Sequence, residues 1–182
     1  MLVQARAAQK NWTGAEAAVD EIRKLPQAVL AAQLLDGMLA ASQGRHLDAI
    51  QTYKDILAQK PNAAEALVAM ARSYEAAGQR SEYFTFLKNF IKQNPNSIPA
   101  YNALGMAYAA EKKWADASKT LQDALAQDPK AIATYKLLAG ALIQEGKATE
   151  VAGLYRKGLE ASPDNPELML ELAKHYDGSK QY

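Results

Sequence analysis

Histidine is the side chain best suited to proton transfer near neutral pH, and this chain has two, His46 and His175. A catalytic histidine needs a nucleophile and an orienting group, and a metal ligand needs companions. Neither residue has such partners in the sequence. Cysteine is absent, so disulfides, thiolate catalysis and Cys-based zinc sites are excluded. The carboxylates are scattered; Glu16, Asp20 and Glu21 form the densest group and read as a solvated helix face. No glycine follows a strand, and neither a phosphate-binding run nor a G-x-S-x-G elbow occurs. The reading is a non-enzyme with no catalytic residue, no cofactor site and no metal site.

The composition suits a folded chain with its own core. Of 182 residues, 49% are hydrophobic and 23% charged, with a formal net charge of +1. Near-neutrality offers no electrostatic reason for a nucleic-acid partner or an anionic membrane surface. No apolar run reaches the ~18 residues a membrane span needs. The opening Met1-Leu2-Val3-Gln4-Ala5-Arg6 lacks a basic segment followed by an apolar run, so it does not read as a signal peptide. Compartment stays open between bacterial cytoplasm and periplasm.

The elements show themselves through a fixed period. Pro61, Pro95, Pro129 and Pro163 stand 34 residues apart. Gly44, Gly78 and Gly146 fall on the same grid, with Lys112 in the vacant slot. One more column reads Ala15, Ala49, Tyr83, Ala117 and Val151, and another Tyr53, Leu87, Leu121 and Tyr155. In residues 98–131, Tyr101, Leu104, Gly105 and Tyr108 form one helical stripe. Trp114, Ala117, Leu121, Ala124 and Leu125 form a second, which ends where Asp128 precedes Pro129. Each unit is therefore a pair of helices joined by a short turn, and stacking such pairs buries both stripes.

The pattern W/Y-x-x-L-G-x-x-Y, A-x-x-x-L-x-x-A, then P, resembles the tetratricopeptide repeat, whose period is also 34. The resemblance covers essentially the whole chain. It implies an all-α, right-handed superhelical solenoid of antiparallel helix pairs, with about 10–11 helices. The expected organisation is one array. Residues 1–29 form an irregular partial repeat, 30–63, 64–97, 98–131 and 132–165 are full repeats, and 166–182 hold a first helix and the turn after it. Such an arrangement reads as a slice of a longer array.

In this family first helices line a concave face, so the resemblance implies a peptide-binding groove. The positions that fall on it include Leu34, Met38, Val68, Arg72, Asn102, Met106, Lys136 and Ile143. Small and flexible apolar residues dominate, and Arg72, Asn102 and Lys136 add a modest polar group. The clamp that some members close on a C-terminal carboxylate is not expected, because Leu34, Met38 and Ala69 stand where it needs polar groups. An apolar helix or extended segment carrying one or two acidic groups fits better.

Nine tyrosines could suggest a surface patch, but Tyr53, Tyr74, Tyr101, Tyr108, Tyr135, Tyr155 and Tyr176 lie in core-building columns. Tyr83 is different, since it replaces a small residue where paired helices meet. With Phe84, Phe86, Leu87 and Phe90 it is expected to repack locally, and Tyr83 with Phe86 forms the candidate second patch. The function read from all this is a protein–protein interaction scaffold that binds a protein or peptide without catalysis. Two alternatives stand beside it: a self-association module, and a periplasmic scaffold of an exopolysaccharide export system, to which the Ala/Gln-rich units are similar in style.

Overall fold

A computed structural model describes residues 2–179, and those residues hold eleven α-helices and no strand. In order they are α1 (Leu2–Ala8), α2 (Trp12–Arg23), α3 (Val29–Ser42), α4 (His46–Gln59), α5 (Ala64–Ala76) and α6 (Arg80–Gln93). Then follow α7 (Ile98–Ala110), α8 (Trp114–Gln127), α9 (Ile132–Gln144), α10 (Val151–Ala161) and α11 (Pro166–Ser179). Short 3-10 turns at Pro26–Ala28 and Ala148–Glu150 precede α3 and α10. The starts of α5, α7, α9 and α11 repeat the sequence period, as do those of α4, α6 and α8.

The turns explain the glycine column. Gly44, Gly78 and Gly146 have φ of +78°, +70° and +83°, the left-handed stop that releases the chain from a helix. Lys112 holds the same place at φ +57°, against the preference of a residue with a Cβ. At the start of α2, the Asn11 side chain accepts the Gly14 N–H at 3.0 Å and caps the helix.

The residues form two compact units, Met1–Phe86 and Leu87–Tyr182, divided within α6. In the first unit α1 to α5 pack in succession, and α3 also touches α1 and α5. In the second, α7 to α11 pack in succession, and α9 also touches α7 and α11. Within each unit, the contacts among the described residues reach the next helix and the next but one, the local scheme of a repeat stack. Val3, Ala15, Val19, Ala32 and Leu39 gather in one core cluster. Leu121, Tyr135, Leu138, Leu142, Val151, Tyr155 and Leu168 gather in another.

Close approach within a pair depends on missing side chains. A Cβ at Gly37 would stand 2.5 Å from the Tyr53 ring, and one at Gly105 would stand 2.7 Å from Leu121 Cγ. Large residues of α4 and α8 are thus seated directly on the backbones of α3 and α7.

Candidate functional site

Helices α3, α5, α7, α9 and α11 each bury one stripe against the core and leave another uncovered. The predicted groove residues lie on these helices and divide between the two units.

In the first unit, Leu34 and Met38 on α3 are half-buried, and Val68 and Arg72 on α5 are exposed. Met38 lines a cleft of about 470 Å³ that Val3 and Ala7 of α1, Trp12 of α2 and Leu35 and Leu39 of α3 also border. Arg72 makes no ion pair among the described residues. A guanidinium left in that state is available to a carboxylate brought by another molecule.

In the second unit, Asn102 and Met106 stand on α7, and Lys136 and Ile143 on α9. Met106 and Ile143 are each 47% exposed, and Leu170 of α11 is 53% exposed. Gly140, on the same side of α9, is exposed, and a Cβ added there would meet nothing within 4 Å. The polar positions are less free than the sequence suggests. The Thr134 hydroxyl donates to Asn102 Oδ1 at 2.8 Å. Lys136 Nζ donates to Glu167 Oε1 at 2.7 Å, and that bond with its charge raises the lysine pKa above its usual value. Arg72, Asn102 and Lys136 therefore do not act alike: the second unit's pair is bonded internally, and only Arg72 is unpaired. Sequence reasoning misses Glu167 and Thr134 as partners, because they lie 31 and 32 residues away along the chain.

The candidate second patch is mostly interior. Tyr83 is 4% exposed and donates its hydroxyl to the Leu67 carbonyl oxygen at 2.9 Å. Its ring centroid lies 5.3 Å from that of Tyr74. Phe86 is half-buried, with Lys54 Nζ 5.8 Å from its ring centroid. Tyr83 is thus a packing residue, and Phe86 alone of the two reaches the surface.

The histidines are separate. His46 opens α4 with a buried Nδ1 that has no hydrogen-bond partner among the described residues. The His175 ring stands beside Tyr176 at 6.1 Å between centroids. No group of three or more His, Cys, Asp or Glu able to hold a metal occurs among the described residues. Among them, no helix is long and apolar enough to cross a membrane.

Four tetratricopeptide repeat family models match residues 1–64, 65–97, 84–141 and 132–175. No curated protein matches the chain. Among solved structures, a thermophilic TPR protein of Thermus thermophilus is similar at 20% identity and a TM-score of 0.60, over 96% of this chain and 95% of that one. MamA from Desulfovibrio magneticus is similar at 18% identity and a TM-score of 0.54, over 90% and 93%. YrrB, described as a TPR protein with an unusual peptide-binding site, is similar at 14% identity and a TM-score of 0.51, over 93% and 87%. Such identities speak to fold alone. The contiguous family matches, the stacked helix pairs and the glycine turns on one period make this chain a member of the tetratricopeptide repeat family.

Proposed function

We propose that this repeat protein is an interaction scaffold that holds a protein segment against the uncovered faces of its first helices. The observation that carries the reading is the exposure of Met106 on α7, Ile143 on α9 and Leu170 on α11, with Gly140 of α9 bare to solvent as well. Three large apolar side chains that stay in water on one side of adjacent helices are a cost unless something covers them. Methionine at the edge adapts to shape, and an uncovered helix glycine lets another backbone come close. In the first unit, Val68 is 44% exposed, and Arg72 one turn further along α5 adds an unpaired cation. At the first unit's face, the segment that fits is apolar and carries an acidic group. A TPR fold indicates protein–protein interaction in general, and the peptide site named for YrrB supports a peptide ligand here.

Site-specific photo-crosslinking tests this reading. A benzoylphenylalanine placed at position 106 or at position 143 is expected to capture one discrete polypeptide from the native host. The same group at position 55, on the exposed side of α4, is expected to capture none. Equal capture from all three positions, or none from any, removes the site.

A further inference from the structure

A second set of contacts runs on the repeat period, between three of the second helices and the first helix that follows each. Lys54 Nζ lies 5.9 Å from the Tyr74 ring centroid, Lys88 Nζ 5.7 Å from that of Tyr108, and Arg156 Cζ 5.7 Å from that of Tyr176. The cations and the rings each fall in one column of the period, and two units depart from both columns: Asp20 and Ala40 stand in those places on α2 and α3, and Gln122 and Leu142 on α8 and α9. Both halves of the brace are missing together.

Beside Gln122 and Leu142 the molecule is open. A groove of about 830 Å³ lies between α8 and α10, and Gln122 and Leu142 both line it. In the first unit, Lys54 fills the matching position by reaching to Phe86 as well as Tyr74. In the second, the residue that matches Phe86 is Leu154, half-buried on the groove wall opposite Leu125. Gly153 widens the mouth. It is exposed, its missing Cβ would meet nothing within 4 Å, and its column elsewhere carries Ala17, Gln51, Thr85 and Lys119.

The charges at this groove are Glu150, Glu160 and Lys157, a net of −1. None of the three forms a salt bridge among the described residues. We infer that the α8–α10 groove is a docking site, separate from the first-helix faces, for a partner protein segment that inserts a bulky apolar side chain beside a lysine or arginine. The apolar walls of Leu125 and Leu154 accept the side chain, and the two free carboxylates complement the cation. The incoming pair supplies what Gln122 and Leu142 lack: apolar bulk and a positive charge.

Phage-displayed random twelve-residue peptides, selected on the whole protein, test the assignment. The counter-target is the variant Gln122→Lys with Leu142→Tyr, which restores the brace and closes the groove. The expected clones carry a large apolar residue within one or two positions of Lys or Arg, and bind the variant about tenfold more weakly or worse. Gly153→Gln, which fills the mouth from open space without touching the core, is expected to weaken the same clones while the circular dichroism spectrum is unchanged. Glu150→Gln with Glu160→Gln is expected to weaken them and flatten their salt dependence. An acidic or wholly polar consensus, equal binding to parent and both groove-filling variants, or no enriched clone overturns the inference. A concentration-dependent dimer that disappears in the Gly153→Gln protein also overturns it, because it assigns the groove to a second copy.

Discussion

Tyr83 donates its hydroxyl to the main-chain carbonyl oxygen of Leu67 at 2.9 Å, so that a residue of α6 is tied to α5 inside the first unit. The column that Tyr83 occupies holds alanine at Ala15, Ala49 and Ala117, each fully buried. Reverting Tyr83→Ala is expected to cost about 3–5 kcal/mol, because neighbours arranged around a ring cannot collapse onto a methyl group. Tyr83→Phe keeps the ring and is expected to cost only about 1 kcal/mol for the hydrogen bond. Urea denaturation of both proteins separates the two contributions. A Tyr83→Ala protein as stable as the parent would show that the ring fills no structural need.

Lys112 carries a φ of +57° at a turn where three other repeats use glycine. Lys112→Gly removes a Cβ from the left-handed region and is expected to stabilise the protein by up to about 1 kcal/mol. Thermal melting should rise accordingly, and a drop in Tm would contradict the turn strain.

Gly105 and Gly140 are helix glycines with opposite surroundings. At Gly105 a Cβ meets Leu121, so Gly105→Ala is expected to destabilise by about 1–3 kcal/mol through overpacking. At Gly140 the space is open, so Gly140→Ala is expected to stabilise by about 0.5–1 kcal/mol. The same substitution with two signs is read directly from paired denaturation curves. If the segment captured at positions 106 and 143 approaches that backbone, Gly140→Ala should also weaken its binding.

The cation–ring braces of the second unit involve Lys88 with Tyr108 and Arg156 with Tyr176. Lys88→Met and Arg156→Met retain most of the aliphatic length and are each expected to cost about 0.5–1 kcal/mol. They share no partner, so the double variant should match the sum within about 0.5 kcal/mol. Melting of the four proteins closes the cycle.

Burial pushes the Tyr53 hydroxyl pKa up to about 12, and that of Tyr83 moves the same way for the same reason. An unfolded tyrosine titrates near pH ~10. Below that pH both states keep the proton and nothing is lost. Between about pH 10 and 12 only the unfolded chain releases it, so stability falls by up to about 1.4 kcal/mol per unit for each such tyrosine. Denaturation midpoints measured from pH 8 to 11.5 should hold level and then drop. Tyr53→Phe should soften the drop, and an unchanged slope would locate the alkaline loss elsewhere.

Residue order suffices for the helix pairs, their turns and the stripe each helix buries. Those properties depend on neighbours one to four places away, or one period away, and a repeating sequence states them several times over. Gly37 and Gly105 stand in one column, opposite Tyr53 and Leu121 in another, and that pairing is legible without coordinates. Which side chains satisfy one another across helices is set by the packed molecule alone. In sequence Lys136 and Asn102 read as free polar groups, yet Glu167 and Thr134 lie against them, since an ion pair depends on rotamers and helix spacing that no column records. Local repacking of Tyr83 is legible as a large residue in a small-residue column, but that its hydroxyl reaches the Leu67 carbonyl oxygen is not. The brace lost at Gln122 and Leu142 is written in the sequence as two independent exceptions. That they face one groove follows only from the packing of α9 between α8 and α10, which brings residues 20 places apart into the same opening.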